Sequence, residues 1–245
     1  MPYWVGDGTI FPGTVILGIQ SVAWRARLTA FGLFVALSLA NIGAAAAQPE
    51  AQAIEGAVGA SQKLTLEAMH CLQQGEEASD VDAKLAAYRR GVELAHQAVA
   101  ADDNSADAHF ALFANNGRVL IYEGYTANPA TLMSVNRELN RTLEINPNHA
   151  DALAAKGGMY RQLPWALGGS KQKASEYLAR SVELDYEHAC GARIELAELY
   201  RDLGQPERGI PLLEKAVEVA TRDKKPDKLE RARALLRELA GGDAN

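Results

Sequence analysis

From Gln48 onward apolar residues recur at three- and four-residue spacings, as in Lys84 to Ala101 and Arg193 to Tyr200, and no stretch alternates strictly. That pattern predicts a chain helical nearly throughout. The first part reads differently. Leu28 to Ala47 is twenty residues without a charge, preceded by Arg25 and Arg27 and followed by Gln48-Pro49-Glu50. A basic lead, an apolar middle and small residues at the end predict a secretory signal over 22–47 with cleavage after Ala47. An uncleaved membrane anchor is the alternative, because twenty uncharged residues can just span a bilayer. Either way the remainder is expected to be exported, to the periplasm or beyond. Residues 1–21 carry only Asp7 as a charge and precede the arginines, which marks them as a spurious N-terminal extension with the start nearer Val22. No cysteine follows the apolar segment at a lipid-attachment position.

Self-similarity then appears at the ends of alternate segments: Ala98-Val99-Ala100-Ala101-Asp102, Thr142-Leu143-Glu144-Ile145-Asn146-Pro147, Ser181-Val182-Glu183-Leu184-Asp185 and Ala216-Val217-Glu218-Val219. Val99, Leu143, Val182 and Val217 are 44, 39 and 35 residues apart, periods that predict stacked helical hairpins. The detail resembles the tetratricopeptide repeat family, whose unit is about 34 residues with small residues where two helices cross and a tyrosine one turn later. Leu196-Ala197-x-x-Tyr200 with Gly209-x-x-x-Leu213 and Ala216 follows that pattern, and Lys156-Gly157-x-x-Tyr160 with Ala174-x-x-x-Leu178 and Ser181 follows it with five extra residues. Pro147 closes the preceding unit. Between 104 and 146 the match thins: Phe113 stands where Gly or Ala is usual and Asn116 where Tyr is usual. Before 104 only Gly91-x-x-x-Ala95 and Ala98 remain.

The resemblance implies an all-α, TPR-like helical-hairpin solenoid of about four repeats plus a C-terminal capping helix. A degenerate N-terminal hairpin would occupy 48–103, repeats 104–224, and a capping helix with its tail 225–245. Gly157, Ala174, Ala197 and Gly209 would allow close approach at the crossings, with Tyr160 and Tyr200 filling the space beside them. Two insertions set the chain apart from a bare repeat. In Leu163-Pro164-Trp165-Ala166-Leu167-Gly168-Gly169-Ser170, proline stops a helix, the glycines permit reversal and Ser170 caps the next helix. This turn is similar to one found in a group of exported bacterial repeat proteins. Tyr122 to Pro129 lengthens the previous hairpin turn, and both insertions should project from one edge.

Composition narrows the function. With 25 Lys plus Arg against 31 Asp plus Glu, a formal charge of −6 argues against a nucleic-acid binder that relies on an overall positive field. Two distant cysteines, Cys71 and Cys190, exclude a zinc ribbon, an iron–sulfur cluster and a disulfide-stapled mini-domain. The histidines His70, His96, His109, His149 and His188 form no HExxH and adjoin no GxSxG, and no glycine-rich phosphate loop with its lysine exists. The chain therefore reads as a non-enzyme without metal or cofactor. The weaker enzymatic reading brings His109 near Glu123.

Binding residues come from register. In the family's geometry the first helix of each hairpin lines the concave groove, where Arg161 and Arg201 hold equivalent positions and Arg118 falls within one position of the same row. Stacked arginines can hold a carboxylate bidentately, which predicts an acidic peptide or C-terminal carboxylate as ligand. Alternatively they pair with Asp202, Glu198 or Asp151. The family's clamp for chaperone tails requires Lys and Asn at set groove positions, where this chain has Ala154 with Gly158 and Ile194 with Glu198. Trp165 is either a staple on Leu163 and Leu167 or an exposed anchor, and Tyr122 and Tyr125 allow the same two readings. The expected function is a protein or peptide scaffold of the bacterial cell envelope, touching membrane only through a retained leader. The alternative is an accessory resembling the T component of tripartite solute transporters.

Overall fold

The computed structural model describes residues 52–124 and 129–241. The expected extension and leader, Tyr125 to Asn128 of one insertion and the last four residues of the tail lie outside the described residues. Among the described residues there is no strand, and the order is α1 (52–77), α2 (Val81–Ala101), α3 (Ala106–Glu123), α4 (Pro129–Ile145), α5 (Ala150–Gln162), α6 (Lys171–Leu184), α7 (Cys190–Asp202), α8 (Pro206–Arg222) and α9 (Pro226–Gly241). Local chemistry sets the starts. Asp80, Ser105 and Ser170 accept the backbone N–H groups of Ala83, Ala108 and Lys173, satisfying donors that have no partner inside the helix. His149 does the same through Nδ1 for Ala152, a less usual cap. Pro206 and Pro226 open the last two helices, where a missing N–H costs nothing.

The helices form an all-α, TPR-like solenoid of hairpins, each packed on its successor. At α5 on α6 the approach is so close that a Cβ on Gly157 would lie 2.6 Å from Leu178 Cγ and 3.1 Å from its backbone nitrogen. Ala174 is fully buried beside this crossing. At α7 on α8 a Cβ on Gly209 would sit 3.3 Å from Ala197 and 2.9 Å from Leu239 of α9. Ala197 and Ala216 are completely buried there. Tyr200 is buried with its hydroxyl accepting from Arg208 at 2.8 Å, and Tyr160 stacks on Tyr177 at 5.5 Å. The first hairpin closes differently. Asn115 of α3, buried completely, fills the gap above Gly91 and donates to the carbonyls of Ala68 in α1 and Ala111. At the far end α9 lays Ala232, Leu235 and Leu239 against the stack. No helix among the described residues is long and apolar enough to cross a membrane.

Candidate interaction surfaces

The first helices of the later hairpins lie side by side, and their facing side chains form a chain of ion pairs. Arg161 of α5 donates from Nε and Nη2 to Glu195 at 2.9 and 2.6 Å, lies 2.8 Å from Glu198, and approaches Asp202 at 3.7 Å. From the other side Arg231 of α9 reaches the same two glutamates at 3.0 and 2.7 Å. Burial opposes the charge on Arg231, and its hydrogen bonds to Glu198 and Glu195 outweigh that, so its pKa is raised. Arg201 bonds Asp202 at 3.0 Å and Glu238 at 3.4 Å, and Arg118 pairs with Glu76 of α1. The row foreseen for Arg118, Arg161 and Arg201 is therefore already supplied with carboxylates from its own chain. Arg161, with a side chain only 16% exposed, is committed inward, while Arg118 and Arg201 keep roughly two fifths of theirs open. Glu195 and Arg231 were not foreseen. Their signal lay in the repeat itself, since Arg161 and Glu195 are 34 residues apart and so share a register in successive hairpins.

The α5–α6 turn is a second surface. Its backbone is tied internally: Leu163 N–H to Met159 O at 3.1 Å, Gly169 N–H to Pro164 O at 3.1 Å, and Ser170 N–H to Tyr160 O at 3.0 Å. Gly168 takes a left-handed φ of +90°, and any Cβ on Gly169 would collide with Leu163 O at 1.8 Å. The turn holds Trp165 at 89% exposure, which overturns the staple reading. Leu163 beside it is also exposed. Next to Trp165 a pocket of about 640 Å³ is lined by Tyr160, Arg161, Lys171, Lys173, Gly168 and Gly169, with no Asp or Glu in its wall. Lys173 and Lys156 stand over the Tyr160 ring at 5.2 and 5.8 Å. Burial, and then the charge of Lys173, lower the pKa of Lys156. The hydrogen bonds of these lysines go to neutral oxygens: Lys156 to Asn140 at 2.6 Å and Lys171 to the Asp202 carbonyl at 2.9 Å. At the other insertion Tyr122 packs on Tyr88 at 6.0 Å.

His109, His149, His188 and both cysteines make structural contacts. His109 and Glu123 are not brought together: His109 Nδ1 lies 2.7 Å from Glu138 Oε2, while Glu123 pairs with Arg89 at 2.8 Å. Glu138 sits on the face of α4 turned to α3, which takes the partnership that sequence spacing offered to Glu123. His109 borders a cavity of about 670 Å³ between α2 and α4, whose charged lining includes Arg137, Glu138, Arg141 and Glu144. His149 caps α5 and His188 meets Asp185 at 3.2 Å. Cys71 and Cys190 are buried, unbridged thiols whose pKa burial pushes up, leaving little thiolate. Among the described residues no group of three or more His, Cys, Asp or Glu is arranged to hold a metal ion.

No family model matches this chain, and no curated protein matches it. Solved structures similar to it include TTC0263, a thermophilic TPR protein in Thermus thermophilus, at 22% identity over 71% of this chain and 88% of that one, with a TM-score of 0.47. MamA is similar at 19% identity over 70% of this chain and 91% of its own, TM-score 0.41. YrrB, a TPR protein with an unusual peptide-binding site, is similar at 18% identity over 62% and 85%, TM-score 0.33.

Proposed function

We propose that this chain is a non-catalytic interaction scaffold of the bacterial cell envelope, holding a protein or peptide partner along the row of first helices. The observation that carries the reading is that α5, α7 and α9 are locked in register by the Arg161, Glu195, Glu198 and Arg231 network. A surface fixed before a partner arrives loses little entropy on binding. Arg118 and Arg201 are among its partly solvent-facing cations, suited to an acidic peptide or a chain-terminal carboxylate. The leader-like pattern of 22–47 supports the envelope as its place of work.

The test is a photo-crosslinking amino acid at Ala114, which shares a face with Arg118, in the full chain and in its own host. A captured protein whose yield falls about tenfold in the Arg118→Glu, Arg201→Glu double variant, with an unchanged melting temperature, is the expected result. Equal capture by the variant discards the groove. A chain that captures no protein but gains thermal stability from small organic acids belongs instead to solute uptake.

A further inference from the structure

An isolated exposed apolar side chain needs no explanation. Trp165 differs in three respects. It stands on a turn whose backbone is pinned by four internal hydrogen bonds, one of them from Gly168 N–H to the Trp165 carbonyl, and whose Gly169 admits no side chain, so the exposure is built in. It borders a pocket large enough for more than one side chain. The charged side chains that line that pocket are all basic, in a chain whose formal charge is −6: Arg161, Lys171 and Lys173 stand in its wall, and Lys156 stands behind. The ion-pair network neutralises Arg161, but the lysines bond only neutral oxygens or the Tyr160 ring. The N-terminus of α6, capped by Ser170, opens on the same wall and adds the positive end of its dipole.

We infer that the pocket beside Trp165 is a docking site for an acidic segment of a partner protein. Trp165 covers an apolar side chain of that segment, and Lys171 and Lys173 take a neighbouring carboxylate. Two features favour a peptide over an anionic membrane. The site is a recess, which a side chain enters and a bilayer surface does not, and the acidic remainder of the molecule is repelled by anionic lipid. Tryptophan suits such an anchor because it offers large contact area with only two rotatable bonds to immobilise. The inference rests on the scaffold reading and adds the partner's chemistry at the edge of the groove, with which the pocket shares Arg161.

The test uses the full chain carrying Trp4→Phe and Trp24→Phe, so that Trp165 is the one tryptophan and is excited apart from the tyrosines. The probe is a synthetic nonapeptide with a central Phe flanked by glutamates. Its counterparts carry lysines in place of the glutamates, or Ala in place of Phe, and phosphatidylglycerol vesicles serve as the lipid probe. Expected is a saturable, salt-sensitive blue shift of Trp165 with the acidic aromatic peptide. Lys171→Glu with Lys173→Glu should weaken it about tenfold, and Arg118→Glu with Arg201→Glu should change it less than about twofold. Lys171→Gln with Lys173→Gln replaces the reversal variant if that one melts early. No saturable shift, an equal response to the lysine peptide, a response to vesicles alone, or binding unaltered by the lysine variants each overturns the inference. If the peptide fails while the Ala114 crosslinker still captures a protein, the edge site falls and the scaffold stands; if both fail, the scaffold falls too.

Discussion

Between α5 and α9 successive hairpins share apolar side chains, whereas between α4 and α5 they meet through hydrogen bonds. Leu212 packs against both C-terminal clusters, one built on Leu178, Leu196 and Leu199 and the other on Ile194, Leu213 and Val219. The N-terminal cluster of Ala68, Cys71, Leu94, Ala95, Ala111 and Leu112 stops at α3. Beyond it His109 of α3 holds Glu138 of α4 within the second hairpin, and across to the third His149 rests on Phe110 at 4.7 Å and reaches Asp107 at 3.2 Å, Lys156 reaches Asn140, and Arg180 reaches Asn148 at 3.2 Å. In keeping with this, α4 and α5 touch along less of their length than α6 and α7 do. Apolar burial is non-directional and tolerates small changes of angle, while hydrogen bonds between buried groups hold one geometry and penalise the rest. The C-terminal half is stabilised by area, and the middle junction is specified by direction.

The sharpest way to break this contrast is to remove one member of the buried polar pair. His109→Leu leaves the buried Oε2 of Glu138 without its partner while Arg137 still holds Oε1 at 3.0 Å, and should cost about 2 kcal/mol in a urea titration. His109→Leu with Glu138→Met should recover most of that loss, because two apolar groups leave no orphan. A double variant as unstable as the single one would show that the seam between α3 and α4 depends on more than this pair. In the apolar half, Gly157→Ala drives a Cβ into Leu178 and should cost about 2 kcal/mol, whereas Gly158→Ala meets nothing within 4 Å and should stabilise by about 0.5 kcal/mol through helix propensity. Equal effects at the two glycines would deny the close crossing. Smallest is Arg118→Ala: its pair with Glu76 is half exposed and should change stability by less than about 0.5 kcal/mol, leaving that arginine for a partner.

The same contrast explains what was legible in the sequence. The α5/α6 and α7/α8 hairpins announce themselves because their contacts need Gly157, Ala174, Ala197 and Gly209, and small residues at fixed spacing are visible in one dimension. The first hairpin is nearly mute because its seat is Asn115, a polar residue that reads as surface until the fold buries it against Gly91. The turn at 163–170 is written in its Pro, Gly and Ser, yet the exposure of Trp165 depends on what packs above it and is written nowhere. The basic pocket is hidden for a related reason: Lys156 and Lys173 belong to different helices and meet only after the reversal. The arginine row was visible, and so were Glu198 and Asp202 as its partners, but Glu195 required reading one repeat length ahead.

The closing helix has a consequence for how copies of this molecule behave toward one another. A stack of hairpins ends in an oily face of the same kind it uses to recruit its next member, so an unfinished end is a growth point for fibres. By spending Ala232, Leu235 and Leu239 inward and leaving Lys228, Glu230, Arg233 and Arg237 outward, α9 turns that face into a charged terminus. Truncation before Pro226 would bare Leu213 and Val219 and favour head-to-tail polymers over single molecules.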